Sequence, residues 1–166
     1  MDYRRFGGHI VLRIDRGEEV VEKITELAEK ENIKLGAISG LGAADHVVMG
    51  VYDIEKQVFH KQEMNELMEI TSLIGNITEM DGKPYLHIHI NLADKNGNVH
   101  GGHLNEVRIG GTAEIVVTVI EGAVGKKTRS RGQDSICLNF KDVLCLNIKK
   151  SSRNLNFMPT RSVRWE

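Results

Sequence analysis

Two histidines one residue apart, His87 and His89, open the part of this 166-residue chain richest in metal-ligating side chains. With His100 and His103 they put four of the chain's seven histidines between residues 82 and 104. Neutral imidazole suits zinc and its divalent neighbours, and three imidazoles leave an open coordination position on such an ion. Leu86, Ile88, Ile90 and Leu92 alternate with His87, His89, Asn91 and Ala93, the period-two pattern of a strand with one apolar face. Asp94-Lys95-Asn96-Gly97-Asn98 has turn composition, since Asn-Gly enters positive φ readily. With these residues as the loop, Ala93 pairs with Val99 and, counting back, His89 lies opposite His103. His87 shares a face with His89. The spacing therefore predicts His87, His89 and His103 on one side of one hairpin, with His100 as a neighbour. A bulge at Gly101-Gly102 would slip the register by one and set His100 or Leu104 opposite His89 instead. The competing reading is a solvated polar face that binds nothing.

The elements that must position this hairpin are mainly strands. Residues 8–14 read as a first strand. Asp15, with Glu18 three residues on, predicts a helix N-cap close to a capping box. Val20, Val21, Ile24, Leu27 and Ala28 then recur at helical spacing against an outer face of Glu and Lys, and this helix ends near Asn32. Residues 34–44 form a small-residue strand whose Ser39-Gly40-Leu41-Gly42 lacks the lysine of a phosphate loop, so its glycines predict close packing or a sharp bend. Residues 46–53 and 57–64 read as a hairpin, 67–78 as a strand, and Asp81-Gly82-Lys83-Pro84 as the turn before the histidines. Gly110-Gly111 introduces a β-branched strand at 112–121. Residues 122–133 read as a glycine-rich basic loop, with short strands at 136–140 and 143–148. This pattern predicts an α+β fold: a mainly antiparallel β-sheet with one principal helix packed on a face.

Composition bounds the function. Charged residues make up 27% and apolar residues 40%, ordinary values for a globular chain, and no apolar run is long enough to span a bilayer. The opening Met1-Asp2-Tyr3-Arg4-Arg5 leads into a strand pattern and not a signal peptide's apolar stretch, so the expected location is cytoplasmic. Cys137 and Cys145 sit in alternating apolar segments without C-x-x-C spacing and are expected to be buried, reduced and structural. Charge is asymmetric: ten of the 22 basic residues but three of the 23 acidic ones lie after residue 125. A basic tail of this kind can meet nucleic acid or fold back on an acidic body or a neighbouring subunit. Residues 1–140 are expected to form the metal-binding domain, and 141–166 a basic C-terminal extension packed on it.

Several segments together resemble the plant- and prokaryote-conserved (PPC) domain. They are Leu12-Arg13-Ile14 with Gly17-Glu18-Glu19, Ile38-Ser39-Gly40-Leu41-Gly42-Ala43, Gly75, and Asp81-Gly82-Lys83-Pro84-Tyr85-Leu86-His87-Ile88-His89. Leu92-Ala93-Asp94, Gly97, Gly101-Gly102-His103-Leu104 and Thr112-Ala113-Glu114 complete the set. The likeness spans residues 8–140. It implies a compact α+β fold, a homotrimer and, at His87, His89 and His103, a bound metal, zinc. Plant members of this family join the domain to AT-hooks that bind A·T-rich DNA. Here the R-G-R-P core is absent, Arg131-Gly132-Gln133 being the nearest approach, so the resemblance is to the prokaryotic stand-alone type. Gly82-x4-His87-x-His89-x4-Asp94-x6-Gly101 also resembles the first metal motif of cupins, but it departs by one residue before His87 and by Asp for Glu, and the amphipathic helix fits a cupin barrel poorly.

Three functions follow as expectations. The first is a trimeric metal-binding protein with a regulatory role. The second is a metal-dependent enzyme acting on a small molecule, with Glu106, Glu114 and His100 as candidate general bases. The third is a DNA-binding protein acting through the basic C-terminal region.

Overall fold

Alternation decides which side of each strand is buried. Ile10, Leu12 and Ile14 are buried while His9, Val11 and Arg13 face out, and Ile88, Ile90 and Leu92 are buried beside outward His87, His89 and Asn91. The structure is a computed structural model that describes residues 1–128 and 136–140. The strand expected at 143–148, Cys145 and the remaining C-terminal extension lie outside the described residues.

The elements run β1 (Asp2–Phe6), β2 (His9–Ile14), α1 (Val20–Lys30), β3 (Gly36–Asp53), β4 (Val58–Met64), β5 (Met68–Met80), β6 (Lys83–Ala93), β7 (Val99–Val119), β8 (Gly125–Thr128) and β9 (Ile136–Asn139). Neighbouring strands are antiparallel except where β8 meets β5 in parallel. β3 and β7 are long enough to serve two sets of neighbours. β3 pairs with β5, β5 with β6, β6 with β7 and β7 with β3, so the sheet curls until these four strands close on themselves. Closure protects the edges that the histidine hairpin would otherwise expose.

α1 packs over β6 and β7. Its Val20, Ile24, Leu27 and Ala28 join Ile88, Ile90, Leu92, Val107 and Ile109 in one aliphatic core. Each of the Val, Ile and Leu side chains contributes about 1.5–3 kcal/mol on burial, and this core anchors β6. The α+β expectation holds: a mostly antiparallel sheet and, among the described residues, a single α-helix. No helix among them is long and apolar enough to cross a membrane.

Four local expectations need correcting. Glu19, not Asp15, caps α1: its carboxylate accepts from the Val21 and Glu22 amides at 3.0 and 2.6 Å. Glu18 does bond back to the Asp15 amide at 2.9 Å, but that closes a turn ahead of the helix. The strands expected at 34–44 and 46–53 are one strand, β3, and β7 runs unbroken through Gly110-Gly111. A Cβ at Gly110 would come within 2.9 Å of the Asp45 side chain, so this glycine permits close strand approach where it was read as a break. Part of the expected basic loop is strand β8. The Ser39–Gly42 segment behaves as expected, since a Cβ at Gly42 would meet the Ala113 backbone at 2.7 Å.

Candidate metal centre

The β6–β7 pairing sets His89 opposite His103 and Ala93 opposite Val99, as the hairpin arithmetic requires. Gly101 and Gly102 pair with Asn91 and Ile90 without a register shift, which excludes the slipped alternatives. Their glycine identity has a different cause. A Cβ at Gly102 would lie 2.7 Å from the Gly50 carbonyl oxygen, and one at Gly101 would strike the Asn91 side chain. β3 and β6 therefore press close on either side of β7, and His103 is held at the point where the three strands meet.

The ring nitrogens of His87, His89 and His103 include one donor apiece that lie within 4.8 Å of one another. Ring centroids are 5.1 Å apart for His87–His89, 5.1 Å for His87–His103 and 5.6 Å for His89–His103. Zinc–nitrogen bonds of about 2.0–2.1 Å place ligand nitrogens roughly 3.3 Å apart in a tetrahedral site, a contraction within reach of side-chain torsions. Phe59 of β4 meets the His103 ring edge-on, with centroids 6.3 Å apart. Among the described residues no Cys, Asp or Glu joins the three as a fourth donor.

Burial favours the neutral, metal-binding form at His87 and His103. Burial, then Lys126 and the other two histidines, push His87 down from the ordinary 6.5 to about 4. His103 is lowered by burial, then by His89 and Lys126. In the unfolded chain His87 takes its proton near 6.5, and in the folded chain only near 4, so the metal-free protein loses stability as pH falls across that window. Urea midpoints of the metal-free protein should decline between pH 6.5 and 4, and His87→Asn should flatten the decline. An equally steep decline in the variant would place the titrating group elsewhere.

The three imidazoles open into a cleft of about 670 Å³ whose walls include Val51, Tyr52, Phe59, Tyr85, Lys126 and Ile136. Tyr85 and Lys126 were not foreseen. Tyr85 sits two residues before His87 on β6 and so shares its face, a signal present in the sequence. Lys126 arrives on β8, which had been read as loop. Asn76 was also missed. It pairs with His87 across β5–β6, and its buried Oδ1 has no hydrogen-bond partner among the described residues.

The proposed general bases do not gather here. Glu106 lies 3.5 Å from His46, His100 lies 3.7 Å from Asp94, and Glu114 pairs with Arg13 across β2–β7; none of the three lines the cleft. Cys137 is half-buried on β9, less enclosed than expected.

Comparison with known proteins follows the same residues. The model of the Plants and Prokaryotes Conserved (PCC) domain matches residues 1–121. No curated protein matches the sequence. Among solved structures, the chain is similar to a metal-containing protein of Archaeoglobus fulgidus, at 31% identity and TM-score 0.73, over 84% of this chain and 99% of that one. It is similar to a plant- and prokaryote-conserved protein of Pyrococcus horikoshii at 29% identity and TM-score 0.70, over 80% and 91% of the two chains. A candidate DNA-binding protein of Ralstonia eutropha shares 25% identity at TM-score 0.77, over 82% and 94%. The chain belongs to the Plants and Prokaryotes Conserved domain family.

Proposed function

We propose that this chain is a metal-binding protein in which His87, His89 and His103 hold one divalent ion, zinc, within a cytoplasmic homotrimer. The observation that carries the reading is the set of three imidazole donors within 4.8 Å on one paired hairpin, two of which, His87 and His103, burial holds toward the neutral form. The metal-containing relative from Archaeoglobus supports it. An ion there would supply a Lewis-acidic centre with an open position facing the cleft, suited to a small-molecule ligand. Residues 1–140 would form the metal-binding domain, with 141–166 as its basic extension.

The trimer is supported by the outer sheet face. Phe6, Val11, Leu41, Ile74 and Val116 lie on the side turned away from α1, and Leu41 and Ile74 are 58% and 59% exposed. An apolar stripe across five strands is a surface that another copy would cover. Native mass measurement should give three chains with one zinc each, and Leu41→Lys with Ile74→Lys should yield monomers. Monomeric wild-type protein at micromolar concentration would remove the trimer from this reading, and protein that takes up no zinc would remove the metal.

The charge of residues 126–166 is the feature that fits a nucleic-acid partner, as in the Ralstonia relative's description. The histidine cluster has no part in that second reading.

A further inference from the structure

Lys126 holds no ion in the reading above, yet it stands in the same cleft. It is 8% exposed, and its ammonium lies 4.5 Å from the centroid of the Tyr85 ring. No carboxylate forms an ion pair with it among the described residues, and no carboxylate figures among the groups that set its charge state. Burial pulls the Lys126 pKa below its ordinary value and only the Cys137 sulfur opposes this, so a buried ammonium with so little counter-charge is costly, and the aromatic contact offsets only part of that cost. A metal at the three histidines would add a second positive centre facing the same space. With a metal bound the cleft would carry positive charge on one side, while Val51, Phe59, Ile136 and the Tyr52 ring make much of its wall apolar. An anion is the missing partner. Its head would be compact, since the described cleft offers one ammonium and no arginine fork of the kind that grips phosphate. Its body would be apolar, to match the walls.

We infer that Lys126 is the anchor of a binding site for a small carboxylate with an apolar or aromatic body, its head lying between the lysine and the three histidines. The inference rests on the metal reading for the second positive charge and on Lys126 itself for the first.

Calorimetric titration of the full chain, with zinc content measured beforehand, tests it with benzoate, benzamide and inorganic phosphate as probes. Benzoate should bind the zinc-loaded protein at least about tenfold more tightly than benzamide, which has the same shape without the charge. Lys126→Met should weaken benzoate by at least about tenfold, and Lys126→Arg should recover most of that loss. Zinc content should be the same in all three proteins. Equal binding of benzoate and benzamide by wild type, undiminished benzoate binding by Lys126→Met, or tighter binding of phosphate than of benzoate overturns the assignment. Loss of zinc from Lys126→Met also overturns it, by making the lysine part of the metal site's framework. Wild-type protein without zinc contradicts the metal reading instead. Benzoate binding that still depends on Lys126 in such protein would uphold the anchor, and its absence would end it.

Discussion

His89→Ala should leave a folded protein that no longer retains zinc. His89 is exposed on the outer face of β6, so truncation opens no cavity, and metal-free stability should change by about 0.5 kcal/mol or less. Zinc affinity should fall by more than about 100-fold, because groups that merely orient a ligand are already worth 10–100-fold. The readout is the zinc-dependent rise in melting temperature. Wild type at 100 times its Kd gains about 2.7 kcal/mol, and the variant should gain almost none. His100→Ala supplies the contrast. It lies on the same hairpin but faces Asp94 at 3.7 Å, and it should keep wild-type zinc binding. If His100→Ala loses the metal and His89→Ala keeps it, the donor set is wrong.

Gly75→Val should damage stability and the site together. Gly75 of β5 sits opposite Ile88, the residue between His87 and His89. A Cβ there would strike the His87 carbonyl and lie 2.9 Å from the Ile88 side chain and 3.0 Å from its Cα. Backbone cannot swing aside as a flexible side chain can, so β6 must shift away from β5. Overpacking of this kind costs about 1–3 kcal/mol, visible as a lowered urea midpoint in the metal-free protein. The shift also moves both β6 histidines relative to His103, and zinc affinity should fall at least tenfold, about the effect of losing an orienting partner. Lost stability with undiminished zinc affinity would mean that the β5–β6 contact does not position the histidines.

The hairpin could be read from the sequence because its information is local. Alternation fixed the faces of residues 86–93, the Asp94–Asn98 turn fixed the loop, and together they fixed the partner of His89. The failures share the opposite cause. Glu19 takes over the cap from Asp15 partly because its Oε1 also accepts from the Val107 amide at 3.0 Å, a partner far along the chain that no local pattern reveals. β3 and β7 run through residues that look like breaks because each supports the other for most of its length. Glycines at 42, 50, 102 and 110 thus mark close strand approach, whereas Gly97, at φ 82°, does mark a turn. Lys126 escaped for the same reason: β8 is held by β5 and β9, and its composition alone reads as loop.

The claim that three imidazoles hold the metal is tested most directly at the metal itself. In the X-ray absorption spectrum of the zinc-loaded full chain, three imidazole nitrogens at about 2.0–2.1 Å are expected, together with one further light atom and no sulfur. The imidazole shell should vanish when His87, His89 and His103 are replaced together. A sulfur shell near 2.3 Å, or an undiminished imidazole shell in that triple variant, would contradict it.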